Sequence, residues 1–328
     1  MPNMASRNNP VVFETNPEHL PGKRSLLAPP VGGIQGFKAI LWNERELKAG
    51  WRLLIYVLLF GLFAAAESFL AIALHFPQVT RSEITATGLL IQECIGMIAA
   101  LAAAAIMGQL EGRSFGVYGL PGAGAFGTRF WQGIVWGMAM IAAMILLIWM
   151  LGGFSFGEFA LRGSALWSYA ALWGLVFLCV GFFEEFLFRG YSQFTLSTGM
   201  KFWPAASLLS AAFGALHLAN GGEDKVGALS VFVIGMFFCL TLRRTGNLWF
   251  AVGLHASFDW GETFLFSVPN SGIVVYGHLL NSSFHGPVWL TGGTVGPEGS
   301  VMAFAVVGVT ALVFSRIFLP QEENHETM

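Results

Sequence analysis

The sequence predicts an all-α, polytopic transmembrane bundle of about eight helices. Hydrophobic residues fill 55% of the 328 positions and charged residues only 11%. A soluble globular chain carries roughly a quarter charged residues, so this one has too little charge to cover a water-facing surface of its size. Apolar runs near the about 20 residues that a bilayer core demands recur along the chain. Several begin at a tryptophan (Trp51, Trp131, Trp167, Trp203 and Trp249), where an indole fits the interfacial aromatic belt.

The expected spans are Leu53–Leu74, Gly88–Met107, Phe130–Leu151, Leu166–Phe183, Phe202–Leu218, Val226–Leu242, Leu248–Phe266 and Val301–Leu319. The fifth and sixth are short for a full crossing. Lys and Arg set the orientation. With the N-terminal end cytoplasmic, thirteen basic residues fall on that side: Arg7, Lys23, Arg24, Lys38, Arg45, Lys48 and Arg52 before the first span, then Arg113, Arg129, Lys201, Arg243, Arg244 and Arg316. Only Arg81, Arg162 and Lys225 fall on the other, and Arg189 lies within the membrane. Both termini are therefore expected in the cytoplasm, with the chain in the inner membrane if the cell is bacterial.

Three parts are expected. Residues 1–50 form a cytoplasmic segment, disordered over its first 30 residues for want of apolar periodicity, with an interfacial helix between Phe37 and Lys48. Residues 51–319 form the membrane domain, and 320–328 a tail. No early apolar run marks a cleavable signal. A formal charge of −2 gives no basic signature for nucleic acid. Cys94, Cys179 and Cys239 sit in apolar runs without a CxxC pair and read as core residues.

Polar residues inside the spans ask for a reason, because an ionisable group at the bilayer centre costs at least about 2.5–3.5 kcal/mol. The fourth span ends in GFFEEFLFRGY. Glu185 and Arg189 are one turn apart and suit a neutralising pair, while Glu184 points about 100° away. The fifth carries FGALH, with Phe213 and His217 on one face. The seventh carries HASFDWGE, with His255, Asp259 and Glu262 on one stripe. At 1.5 Å per residue along straight helices, Glu184, His217 and His255 lie roughly 18, 24 and 12 Å from the cytoplasmic turns, deep enough to meet. Taken singly, each has a plain reading: an interfacial carboxylate or a histidine bonding between helices. Glu67 and Glu93 lack companions and read as packing or hydrogen-bonding residues. His75, His278 and His285 read as ordinary loop residues. The convergence of three spans is what argues for a site.

EEFLFR, FGALH and HASFD resemble the EExxxR, FxxxH and HxxxN/D motifs of the CPBP family of intramembrane peptidases, which includes type II CAAX prenyl endopeptidases and bacteriocin-processing or self-immunity proteins. The motif core runs from residue 166 to 266. The resemblance implies an intramembrane catalytic cavity with Glu184 as catalytic glutamate, Glu185 and Arg189 as its supporting pair, Phe213 and His217 as the second motif, and His217 helping to hold the attacking water. It assigns His255 and Asp259 to stabilising the oxyanion. Asp259 stands where CAAX endopeptidases usually have Asn, and an ionised Asp cannot donate to an oxyanion; it could instead orient His255 or bind a metal.

Two chemical versions follow. In one, Glu184 takes a proton from water, His217 positions that water and His255 stabilises the carbonyl oxygen. In the other, a divalent metal such as zinc is held by His217, His255 and a carboxylate, Glu184 or Asp259. The implied partners are the bilayer and a peptide or protein substrate: a prenylated CAAX-type chain, a leader peptide or another membrane-associated segment. The competing classes are a non-catalytic scaffold or immunity protein of the same fold, and a transporter or proton relay, which would often show inverted repeats.

The basic-residue asymmetry is testable directly. A reporter fused after Met328 should read out as cytoplasmic; activity on the opposite side overturns the orientation and the side from which substrate enters.

Overall fold

The computed structural model describes residues 25–30, 36, 38–79 and 84–319. Most of the expected disordered segment, Arg81 and the 320–328 tail lie outside them. In place of the interfacial helix, α1 (Lys38–Leu41) is a single turn. It closes through a Trp42–Leu47 bridge, with the Asn43 side chain accepting from the Arg45 and Glu46 amides. That local bonding gives the backbone an alternative to helix.

A helix stands at each of the eight predicted spans. These are α2 (Ala49–Ala73), α3 (Ala86–Glu111), α4 (Thr128–Met150) and α5 (Gly163–Glu185), which runs through a π-helical turn (Phe186–Ser192) into α6 (Gln193–Met200). Then come α7 (Phe202–His217), α8 (Lys225–Thr245), α9 (Trp249–Trp260) with a second π-helical turn (Gly261–Leu265), and, after the one-turn α10 (Val288–Thr291), α11 (Val301–Ile317). Five segments are long and apolar enough to cross a membrane: α2, α3, α4, α5 to α6, and α8; α11 is apolar but shorter. The fifth span is short as expected, α7 having 16 residues, whereas the sixth is full length at 21, and the α-helix of the seventh is shorter still at 12. Asp224 caps α8, which begins one residue before the expected start, its side chain accepting from the Val226 and Gly227 amides. The rest of the extra length is at the other end, where Arg243 to Thr245 continue the helix to Gly246.

α9 is the central rod. Every residue from Trp249 to Asp259 is buried, which is what a helix apolar on all sides requires. Small residues let its neighbours approach. A Cβ on Gly133 or Gly137 of α4 would fall 2.1 Å from the carbonyl oxygens of Phe250 and Leu254, and one on Gly253 would fall 2.2 Å from that of Phe130. Gly181 of α5 lies against the Val252 carbonyl in the same way, at 3.0 Å. Backbone contact of this kind drives association where lipid removes the hydrophobic difference. It also corrects one tryptophan: Trp51, Trp131, Trp167 and Trp203 are exposed as a belt requires, but Trp249 is buried and donates to the Pro121 carbonyl at 3.0 Å.

A buried ion network ties one end of the bundle together. Glu111 at the end of α3 pairs with Arg113 and with Arg52 of α2 (3.5 Å), and both arginines also reach Glu46, at 2.8 and 3.0 Å. Tyr191 in the first π-helical turn donates to Glu111 at 2.6 Å, and Arg52 donates to Thr198. At the opposite end, β1 (Phe154–Ser155) pairs antiparallel with β2 (Ser283–Phe284). There the long loop before α11 folds over the bundle and is held by a Gly222–Gly272 backbone bond of 3.1 Å.

The α4–α9 contact makes a clear prediction. Gly137→Leu should destabilise the solubilised protein by about 1–3 kcal/mol or more, the scale of overpacking, visible as a lower Tm. Gly308→Ala on α11, where an added Cβ meets nothing within 4 Å, should leave Tm within experimental scatter. Equal Tm for both variants would show that this helix pair is not closely packed.

Candidate active site

Glu184 and Glu185 end α5, and the π-helical turn begins at the next residue. Gly190 within it has non-helical φ −83° and ψ −114°. An inserted residue of this kind re-aims the side chains around it and recurs at functional sites. Here it returns the Arg189 guanidinium to Glu185, Nη1 to Oε1 at 3.3 Å, with both side chains fully buried. The guanidinium also lies over the Phe213 ring at 4.3 Å and near Phe238 at 5.4 Å. Stacking on aromatic faces is how a weakly hydrated guanidinium tolerates such a place.

The oxygen of Glu185 that meets Arg189 also meets His255, whose Nδ1 is 3.0 Å away. The other ring nitrogen of His255, Nε2, faces Glu184 Oε2 and Asp259 Oδ2, each at 3.5 Å. Phe238 stacks on the imidazole at 5.0 Å between centroids. With carboxylate oxygens on both edges, each ring nitrogen is placed to donate. Glu185 is thus more than the partner of Arg189 expected from spacing: it also orients the histidine of the seventh span.

His217 ends α7. Its Nδ1 faces the Phe213 carbonyl at 2.8 Å, and since a carbonyl only accepts, that nitrogen carries a hydrogen. In the neutral ring Nε2 is then an acceptor. The Phe213 ring packs against the imidazole at 4.6 Å, so Phe213 supports both His217 and Arg189.

Glu184, His217, His255 and Asp259 line one cavity of about 260 Å³. The straight-helix depth of Glu184 does not hold, because the chain between it and the 197–201 turn passes through the π-helical turn that follows Glu185. The same cavity is lined by Glu93, Asn270, Ser271 and Glu298, which sequence reasoning left out. In the sequence Glu93 reads as a packing or hydrogen-bonding residue, because nothing near it pairs with it. The loop residues lack helical periodicity, and only the fold brings them over the site. Glu298 is fixed there by the Ser271 amide and hydroxyl, at 2.8 and 2.7 Å. Glu262, expected on one stripe with His255 and Asp259, lies in the second π-helical turn. It is fully buried, and neither carboxylate oxygen has a hydrogen-bond partner.

A metal fits this arrangement poorly. Among the described residues no three His, Cys, Asp or Glu side chains converge as a ligand set. His217 spends one ring nitrogen on the Phe213 carbonyl, and His255 has a carboxylate at each edge.

Residues 165–261 match the family model described as Type II CAAX prenyl endopeptidase Rce1-like. The matched stretch contains Glu184, Glu185, Arg189, Phe213, His217, His255 and Asp259; Glu93 and Glu298 lie outside it. No curated protein matches the chain.

The shared oxygen of Glu185 predicts a large stability effect. Glu185→Gln strands Arg189, and breaking a buried pair from one side costs about 3–5 kcal/mol, so the solubilised variant should melt well below the parent. Adding Arg189→Met should recover part of the loss. A Glu185→Gln Tm equal to the parent's would mean that the pair is not a stabilising contact.

Proposed function

We propose, from the match of residues 165–261 to the Type II CAAX prenyl endopeptidase Rce1-like model, that the chain is a membrane protease of the CPBP family and that it hydrolyses a peptide bond with a water activated between Glu184 and His217. One observation carries the choice of base. The Glu184 side chain is 22% exposed and faces the cavity, whereas that of Glu185 is fully buried against Arg189 and His255. Only Glu184 can meet water.

The steps follow from where the polar atoms stand. Water donates one hydrogen to Glu184 and another to His217 Nε2, leaving an oxygen lone pair for the scissile carbonyl. His255 Nε2–H stabilises the oxyanion as it forms, while Glu185 holds that ring from the far side. Asp259 Oδ2, 3.5 Å from His255 Nε2, keeps that nitrogen a donor, so it serves as an orienting residue and need not donate itself. Glu184 then returns its proton to the departing amine as the C–N bond breaks. A cavity inside the helix bundle brings water to membrane depth, which hydrolysis there requires. The substrates proposed are membrane-associated chains: prenylated CAAX-type, leader-peptide or other membrane segments.

Glu184→Gln should fold and insert normally yet lower turnover at least about a hundredfold, the scale for losing an acid–base group. His217→Ala should lose activity to a similar extent. The parent should keep its activity in strong chelator. Wild-type turnover by Glu184→Gln, on a substrate that the parent cleaves, removes the base assignment. Loss of activity in chelator, restored by one equivalent of metal, brings back the metal version. A parent inactive across prenylated and leader peptides favours the scaffold reading.

A further inference from the structure

The cavity holds more carboxyl groups than the proposed hydrolysis uses. Besides Glu184 and Asp259 of α9, which that hydrolysis uses, it is walled by Glu93 from α3 and Glu298 from the loop before α11. Among the described residues no Lys or Arg lines it. The basic side chain behind it, Arg189, is fully buried and already faces Glu185 and Phe213. Glu93 is 7% exposed; its Oε2 is buried without a hydrogen-bond partner, and its Oε1 has only a 3.4 Å contact from Gln92. Glu298 is 8% exposed and takes both Ser271 donors on one oxygen, Oε2.

Carboxylates held this way in a low-dielectric setting are costly unless something supplies positive charge. A metal would need converging ligands, which the described residues do not offer. A flexible ammonium or guanidinium has no such demand, because it can donate to several oxygens at loosely defined positions.

We propose that Glu93, Asp259 and Glu298 form an anionic subsite that receives a basic side chain of the peptide substrate close to the scissile bond. The distance from that bond is short because the cavity is small: an extended peptide advances about 3.3 Å per residue, so only the one or two residues beside the cleaved bond share the cavity with Glu184. Two of the three carboxylates come from outside residues 165–261. The chemistry therefore sits in the stretch that matches the family model, and the charge preference comes from α3 and the late loop. This inference rests on the peptidase reading for the identity of the ligand as a peptide.

The test uses full-length protein in detergent and apolar peptides identical except for Lys, Gln or Glu at the two positions flanking the cleaved bond. Affinity is read by competition against a fluorescent peptide, and cleavage by mass spectrometry. The Lys peptide should bind the parent at least about tenfold more tightly than the Glu peptide, a difference of about 1.4 kcal/mol. Glu93→Gln and Glu298→Gln should each shrink that ratio at least about threefold. The ratio is taken within each protein, so partial loss of folded material cancels. Equal affinities in the parent, or an unchanged ratio in both variants, overturn the subsite. Cleavage without preference removes the subsite and leaves the peptidase; tight Lys-peptide binding without cleavage of any peptide keeps the subsite and removes the peptidase.

Discussion

A single carboxylate oxygen joins the two halves of the site. Glu185 Oε1 lies 3.3 Å from Arg189 and 3.0 Å from His255, so the end of α5, the π-helical turn after it and the middle of α9 share one electrostatic centre. Each member explains the others. A buried guanidinium requires an anion, the anion requires donors on its remaining lone pairs, and the histidine that supplies one is thereby turned so that Nε2 faces the cavity. The aromatic rings around Arg189 keep water from competing for it.

That centre works only if α9 is held still, and close backbone packing around α9 does this, with Trp249 and Trp260 donating to the Pro121 and Ala170 carbonyls near its two ends. Gly133 and Gly137 bring the α4 backbone onto α9, and Gly181 brings α5 onto its other side. Placing a histidine within hydrogen-bond range of a glutamate on another helix needs accuracy of a few tenths of an ångström. Glycine contacts give it because backbone meets backbone, with no rotatable side chain between. The Glu46–Arg52–Glu111–Arg113 network plays the matching part at one end of the bundle, where Tyr191 ties the π-helical turn to α3 through Glu111.

The adjacent glutamates show how environment divides labour between identical side chains. Glu185 is fully buried with Arg189 and His255 both on Oε1, which suits a fixed anion. Glu184, one residue earlier and about 100° around the helix, reaches the cavity and the open edge of His255. The same division separates the residues that hold the histidines from those that face the cavity. Phe213 and Glu185 lock one nitrogen of His217 and His255 respectively, and the other nitrogen of each ring is left to the cavity side.

The eight helices and the three polar clusters were legible in the sequence because hydropathy and one-turn spacing are local properties. A run of apolar residues declares a span wherever it lies, and a Glu or His within it stands out against its neighbours. The pairing of Glu185 with Arg189 was local too, being one turn long. Everything that depends on how one helix is rotated against another was decided by tertiary structure: that Glu185 also holds His255, that Trp249 is core while the other span-initial tryptophans are exposed, and that Glu93 and Glu298 reach the cavity. The two π-helical turns contribute directly, since an extra residue shifts the facing of every side chain beyond it. Residues 93, 184, 259 and 298 are far apart along the chain, and no periodicity links them. Only the close approach of α3, α5 and α9, under a loop pinned by Ser271 and Glu298, puts their carboxylates around one space.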